Sequence, residues 1–160
     1  MKKYSVDTYD FKSHLTDKQI HDRLNQRTLK KKYLTMESTD KDFIGRIQDD
    51  KFEIFQASFL PYGAACILGG TISSTSNIKV TTSLHNGFRI LFVVWVVAIT
   101  TLFLVTWFIG SRQFDGLIAF IIGMPIMTFL FRLFLHGAYV LARDKGLKKL
   151  KDVLDIGQND

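Results

Sequence analysis

The sequence has 160 residues, of which 47% are hydrophobic, and its net charge is +6 at neutral pH. This length accommodates one small domain beside a very apolar segment, and the positive charge is divided evenly between the two halves of the chain, which argues against a nucleic-acid-binding protein. The only cysteine, Cys66, cannot form an intramolecular disulfide and is compatible with a reducing compartment.

A short strand and a helix are the first predicted elements. Residues 4–11 alternate weakly between apolar and polar side chains, which favours a strand. A helix is expected from Thr16 to about Lys30, because Thr16 and Gln19 have the spacing of a capping box, in which each side chain satisfies the free backbone amide of the other residue.

Three consecutive lysines at the end of this helix are a candidate contact for an anion or a lipid headgroup: Lys30, Lys31 and Lys32. Each cation close to an anionic membrane surface contributes about 1 kcal/mol of attraction. The same cluster is also typical of a solvated helix end, where cations complement the helix dipole. The sequence leaves both interpretations open.

Between residues 42 and 84 the period of the apolar side chains changes to two, which predicts four β-strands. Their expected positions are 43–48, 52–54, 64–72 and 77–84. Because the connections are short, the strands are expected to form an antiparallel meander.

Two features of this region are candidate binding elements. Gly69 and Gly70 lie inside the third strand, where glycine marks a bulge or the close approach of another backbone or a ligand, and a bulge is the interpretation we favour. The loop before that strand contains Phe59, Leu60 and Tyr62, which either cover the small core or contact a partner or the membrane.

The most apolar part of the chain begins at residue 90. Residues 90–109 are 20 consecutive uncharged residues, and a helix of that length spans roughly 30 Å, the thickness of the hydrocarbon core of a bilayer. A polar turn and a second uncharged run, 117–131, follow. Since neither run has a charged stripe at helical spacing, we expect a hairpin of transmembrane helices at about 90–109 and 115–135.

Two arginines are candidate lipid-headgroup or anion contacts at one end of this hairpin. Arg132 lies 20 residues after Arg112 in the polar turn, and Arg89 lies 23 residues before it, so Arg89 and Arg132 should flank the same interface. Lysine and arginine are concentrated beyond the far ends of the hairpin. This distribution predicts a multi-pass protein of the inner membrane with both termini in the cytoplasm.

The last segment, 136–160, carries apolar residues such as Leu147 and Leu150 at helical spacing, with lysines on the other faces. This pattern predicts a juxtamembrane amphipathic helix that lies on the membrane surface or packs beneath the β-domain. The expected architecture is therefore an α+β membrane protein. It comprises a cytoplasmic domain (1–86), a transmembrane hairpin (88–135) and a cytoplasmic helix and tail (136–160).

No catalytic, metal-binding or cofactor-binding motif is found in the sequence, so we expect a protein that is not an enzyme and has no cofactor. In one hypothesis the cytoplasmic domain binds a protein or small-molecule ligand. It is mechanically coupled to the hairpin, since the fourth strand ends five residues before the first membrane helix.

In the alternative hypothesis the hairpin itself acts. Copies of the chain assemble in the lipid bilayer, and they permeabilise it or neutralise a toxin. The division into a small β-domain and two membrane helices is similar in architecture to some membrane effectors of bacterial antiviral systems, which place the helices first.

Overall fold

The structure is a computed structural model that describes residues 7–30, 40–48, 50–57, 64–73, 76–109 and 114–156, without the side chains at 106, 108–109 and 114–119. The chain divides into two compact units. The first, called the sheet unit, comprises Met1–His85 and Ala138–Asp160. The second, called the hairpin unit, comprises Asn86–Gly137.

A six-stranded sheet forms the first unit. The elements in chain order are β1 (Asp7–Lys12), α1 (Asp17–Arg27), β2 (Thr28–Lys30), β3 (Phe43–Gln48), β4 (Lys51–Gln56), β5 (Cys66–Ile72) and β6 (Asn77–Leu84). The strand order is β1-β6-β5-β4-β3-β2, and every neighbouring pair is antiparallel except β2 and β3, which are parallel.

The sheet is larger than the sequence predicts. The four predicted strands correspond to β3–β6, which do follow one another as a meander, and β1 and β2 add a strand at each edge. The weakly alternating segment near the N-terminus forms β1. The predicted helix ends at Arg27 rather than near Lys30, because Thr28 is extended (φ −112°, ψ 127°) and pairs with Phe43.

The predicted capping box begins α1. The backbone N–H of Gln19 donates to Thr16 Oγ1 at 3.4 Å, and the backbone N–H of Thr16 donates to Gln19 Oε1 at 3.0 Å. One turn later α1 buries Ile20 and Leu24 completely. The connection that contains α1 joins β1 at one edge of the sheet to β2 at the other, so this connection crosses the whole sheet.

The core of the sheet unit is formed by one face of the sheet and by two helical segments. These segments are α1 and the last residues of α3 (Phe114–Val153), which Leu154 follows. The central side chains of this core are at most 1% exposed: Ile20, Leu24, Ile54, Leu68, Ile78, Val80, Leu150 and Leu154. Burying aliphatic side chains of this size is the main stabilising contribution of a core, at roughly 1.5–3 kcal/mol each relative to full exposure. The opposite face of the sheet is therefore available for polar side chains.

The glycine pair in β5 does not form the bulge that we favoured from the sequence. The pairing of β4 with β5 continues without an offset, with Phe52 opposite Gly70 and Glu53 opposite Gly69. A Cβ at Gly70 would overlap the ring of Phe52. The close approach at Gly70 is therefore made by an aromatic ring that needs the space left by the missing side chain.

The hairpin unit contains α2 (Asn86–Ile109) and the first part of α3. Both helices are long and apolar enough to cross a membrane, and their large side chains are exposed, for example Ile90 at 64% and Phe134 at 67%. Trp95 stacks on Phe131 with 4.7 Å between ring centroids, and Phe103 stacks on Phe120 at 3.5 Å. These two stacks fix an antiparallel register.

The second long apolar segment and the C-terminal helical segment of the sequence belong to the same helix, α3. α3 is one helix of 40 residues, and its residues from Ala138 onward belong to the sheet unit. Of the two predicted positions for the C-terminal helical segment, the structure has the one packed on the β-sheet. Leu147 and Leu150 are buried there.

Candidate functional site

The sheet face opposite the core carries a shallow polar cavity of about 510 Å³. It forms because alternate residues of β3–β6 point away from the core and are mostly charged or hydroxylated. We call this surface the polar sheet face, and its polar lining residues are Arg46, Gln48, Lys51, Glu53, Thr71, Lys79, Thr81 and Ser83.

The strand register aligns three of these residues in a row across β4, β5 and β6. Lys51 lies directly opposite Thr71, and Thr71 lies directly opposite Lys79. Because neighbouring strands are about 4.8 Å apart, the Cα atoms of the two lysines are separated by roughly 10 Å. An anion placed over Thr71 could accept a hydrogen bond from the hydroxyl and from both ammonium groups, all of which are exposed.

The charge of the cavity is positive. Its three cations, Arg46, Lys51 and Lys79, face a single carboxylate, Glu53, which gives a net charge of +2 (3 − 1). Arg46 lies directly opposite Glu53, so these two charges offset one another. By the same rule, Asp10 of β1 lies directly opposite Lys79 and offsets its charge. Lys51 lies opposite Gln48 and Thr71, so it is the cation of the lysine row (Lys51, Thr71 and Lys79) that has no carboxylate directly opposite it.

The middle of the cavity floor is bare backbone. Gly69 has no side chain to fill it, and a Cβ there would approach Thr81 Oγ1 at 3.2 Å. The Thr81 hydroxyl donates to the carbonyl oxygen of Gly69 at 3.0 Å, which holds this side chain along the sheet. The glycine predicted as a backbone-approach site thus contributes to the depth of the cavity.

A buried hydrogen bond joins α3 to the sheet. The Tyr139 and Thr82 hydroxyls are 2.9 Å apart, and these residues are 4% and 0% exposed. Thr82 lies in β6 between residues that line the polar sheet face, with its own side chain on the core face. Tyr139 therefore contacts the opposite side of the strand that carries Thr81.

Two ion pairs and a hydrogen bond to the main chain also join the end of α3 to the sheet. Arg143 Nη1 lies 3.1 Å from Asp7 Oδ2 on β1, and Lys149 Nζ lies 2.8 Å from Asp42 Oδ1 beside β3. The buried Ser13 hydroxyl donates to the carbonyl oxygen of Leu154 at 2.9 Å. The end of α3 is thus connected to both halves of the sheet. We call these three contacts and the Thr82–Tyr139 hydrogen bond the α3 attachment.

Burial shifts the pKa of Cys66 and of His85 in the sheet unit. Burial raises the pKa of the Cys66 thiol to about 12, so it is protonated and a poor nucleophile at neutral pH. Burial also lowers the pKa of His85, partly offset by the charge of Glu53. Among the described residues, no three metal-ligating side chains come close enough to hold an ion.

The other candidate residues from the sequence do not join this cavity. Lys30 is the exposed last residue of β2. Arg89 and Arg132 belong to the hairpin unit, and the stacking register brings them to the same end of it. The remaining candidates lie outside the described residues: Lys31, Lys32, Phe59, Leu60 and Tyr62.

The sequence did not single out the lysine row or the α3 attachment as a site. The strand alternation does place Lys79 and Thr81 on the outward side of the fourth predicted strand. However, the alignment of Lys79 with Lys51 depends on the register of three strands. The partners of Tyr139 and Arg143 depend on where α3 packs, which no local pattern encodes.

The fold defines an α+β protein with a six-stranded sheet and two long apolar helices that could span a membrane. No protein family model, curated protein or solved structure matches this chain. Its function has to be inferred from its own geometry and charge.

Proposed function

We propose that this chain is an integral protein of the inner membrane whose cytoplasmic sheet unit binds a small anionic ligand and is coupled to a two-helix anchor. Both termini would be cytoplasmic, as the distribution of lysine and arginine predicts. The observation that carries the proposal is the continuity of α3. α3 is a single helix that begins in the hairpin unit and ends in the sheet unit, on the core side of the strands that form the polar sheet face.

The two apolar helices support the anchor. The core helix of a soluble protein would bury its large side chains, whereas α2 and the first part of α3 expose them, including Val97 at 58% and Leu102 at 65%. In a bilayer these side chains would contact lipid, and the helices would satisfy their own backbone hydrogen bonds. Membrane insertion thus removes an unfavourable apolar surface without any further partner.

The lysine row supports an anionic ligand. Two lysines aligned on either side of a hydroxyl can contact a phosphate or pyrophosphate group, and Lys51 has no carboxylate directly opposite it. The cavity of about 510 Å³ is within the size range of small-molecule sites, roughly 300–1,000 Å³. The proposed ligand is therefore a phosphorylated small molecule.

Coupling between the two units would use the α3 attachment. A ligand that bridges β4 and β6 would draw Lys51 and Lys79 together and change the twist of the strands between them. Thr82, next to Thr81, would transmit that change to Tyr139 on α3. In this proposal α3 carries the displacement from Tyr139 into the hairpin unit, because the same helix belongs to both units.

A pore is less well supported than an anchor. A pore requires a polar stripe along its helices, and the Thr100 hydroxyl is already bonded to the Val96 carbonyl of its own helix at 2.8 Å. Among the described threonines of α2, Thr101 is exposed, and an oligomeric effector would need a longer polar stripe than this one hydroxyl.

The experiment uses the two tryptophans of the chain, Trp95 and Trp107, which both lie in α2. The full-length protein is held in detergent micelles, which add no tryptophan, and titrated with inorganic pyrophosphate. Calorimetry measures binding, and tryptophan emission reports on the hairpin unit alone. The proposal predicts saturable binding accompanied by a saturable change in emission.

Matched variants separate binding from coupling. Lys51→Gln with Lys79→Gln should lose both signals, whereas Lys18→Gln on α1 should keep both. Gly137→Pro removes a backbone hydrogen bond of α3, so it should keep binding and lose the emission change. Gly137→Ala should keep both signals, because no atom lies within 4 Å of the added Cβ. Absence of binding by calorimetry contradicts the ligand site. Binding without an emission change in the wild-type protein contradicts the coupling.

A further inference from the structure

A second surface, in the hairpin unit, pairs an arginine with an apolar groove. The groove is open, has a volume of about 460 Å³ and is lined by Met124, Pro125, Thr128, Phe129 and Arg132. Each of these positions has another one three or four residues away, so they form one stripe along α3. Apart from Thr128, the stripe is apolar up to its end, where Arg132 is exposed.

The groove does not face α2. The rings that stack on α2, Phe120 and Phe131, are 11 residues apart and therefore on one face of α3. Arg132 follows Phe131 directly, so it lies about 100° around the helix from the α2 contact, and the groove runs from there to Met124 at the margin of that contact. In a membrane-inserted protein this face would be turned towards lipid.

Arg132 lies at the depth expected for a lipid headgroup. It comes 18 residues after Phe114, which begins α3, and this distance is about 27 Å along the helix. The hydrocarbon core of a bilayer is roughly 30 Å thick, so a hairpin whose turn reaches one interface places Arg132 at the other. From Arg132 the groove continues about 12 Å along α3 to Met124, towards the middle of the bilayer.

The charge of Arg132 needs a partner at that depth. A guanidinium group at the interface reaches the level of the lipid phosphates, and a phosphate offers it a planar, two-point contact. Arg132 makes no ion pair within the part of the chain that the structure describes. The hydroxyl of Thr128 is directed to Met124 Sδ at 3.7 Å, so it leaves the groove wall apolar.

We infer that α3 binds one anionic phospholipid, with its phosphate at the Arg132 guanidinium and one acyl chain in the groove beside Pro125. The proline ring supplies a flat apolar wall, and Phe129 and Met124 flank it. A lipid fits better than a free phosphate because the apolar groove and the cation are continuous. This site is independent of the polar sheet face and requires only that the hairpin is inserted.

The test measures lipid retention by native mass spectrometry on the full-length protein in detergent micelles. Phosphatidylglycerol is compared with phosphatidylcholine of the same acyl chains, and free glycerol 1-phosphate is the control for a phosphate site that needs no chain. We expect one phosphatidylglycerol bound about tenfold more tightly than phosphatidylcholine, and no retention of glycerol 1-phosphate.

Variants test whether this preference belongs to Arg132. Arg132→Gln should abolish the preference, Arg132→Lys should reduce it because the two-point contact is lost, and Arg89→Gln should keep it. Thr128→Phe should weaken retention of both lipids by filling the groove. Equal retention of both lipids by the wild-type protein would overturn the inference. Equal losses in the Arg89 and Arg132 variants would also overturn it, since they would indicate a non-specific cationic collar.

Discussion

Removing the hydroxyl of Tyr139 should destabilise the sheet unit by about 1–3 kcal/mol. The substitution Tyr139→Phe keeps the ring and deletes one partner of the 2.9 Å hydrogen bond, which leaves the Thr82 hydroxyl fully buried and without that partner. The net value of the lost bond is about 1 kcal/mol, and a buried unsatisfied hydroxyl costs about 1–3 kcal/mol. Thr82→Val should have an effect of similar size, because it leaves the Tyr139 hydroxyl in the same position.

The double variant distinguishes a specific contact from general damage. With both hydroxyls removed, neither buried polar group is left unsatisfied, so the loss should be smaller than the sum of the two single losses by roughly 1–2 kcal/mol. The assay is urea unfolding of the full-length protein in micelles. Exposure of the Cys66 thiol reports specifically on the sheet unit, since Cys66 is 2% exposed in β5.

Two results would refute this reasoning. Strict additivity of the two single variants would mean that the hydroxyls do not interact. A silent Tyr139→Phe would mean that the end of α3 is not packed on β6, and the α3 attachment would then be unavailable for coupling. A control at Tyr9, whose ring stacks on Phe11 at 6.1 Å on the edge strand, should be nearly neutral when changed to phenylalanine.

Three further predictions concern the sheet unit. Gly70→Ala should lower the free energy of unfolding by more than about 1 kcal/mol, because the added Cβ overlaps the Phe52 ring. Gly123→Ala should leave the free energy of unfolding unchanged, because the space around Gly123 is open. Urea unfolding compares the two variants. Stability should fall as the pH drops below about 6.5, because burial lowers the pKa of His85 in the folded state, and His85→Gln should flatten this dependence in pH-dependent unfolding. The Cys66 thiol, with a pKa of about 12, should react with maleimide only upon unfolding, as thiol labelling at neutral pH would show.

Local chemistry was enough to predict several elements of the fold. The Thr16 capping box begins α1 as expected, the alternation in β3–β6 gives a meander, and the length of the apolar runs gives two long helices. The two edge strands, β1 and β2, were harder to predict from the sequence. β1 carries Asp7 and Asp10, and β2 has only three residues, so both owe their conformation to pairing with neighbouring strands rather than to their own preferences.

Gly146 shows why the end of α3 was difficult to predict. Glycine lowers helix propensity by about 1 kcal/mol, so it weakens any helix prediction for this segment. In the structure a Cβ at Gly146 would approach Leu68 Cδ1 at 3.2 Å. The glycine therefore allows α3 to pack closely on β5, and the packing energy of the helix on the sheet outweighs its low propensity.

The candidate site was predictable only in part. Outward-facing polar residues such as Lys79 follow from the strand alternation, but the row that it forms with Thr71 and Lys51 follows from strand register. Register is set by pairing across the sheet, which local sequence does not specify.

The measurement that tests the central claim most directly is cysteine accessibility in membranes. The native thiol is buried, so Ser111→Cys in the polar turn and Gln158→Cys in the tail can each be labelled selectively with a membrane-impermeant maleimide on spheroplasts. We predict that the Ser111 variant is labelled in intact spheroplasts and the Gln158 variant only after permeabilisation. Labelling of both variants, or of neither, in intact spheroplasts would contradict a membrane-spanning hairpin with cytoplasmic termini.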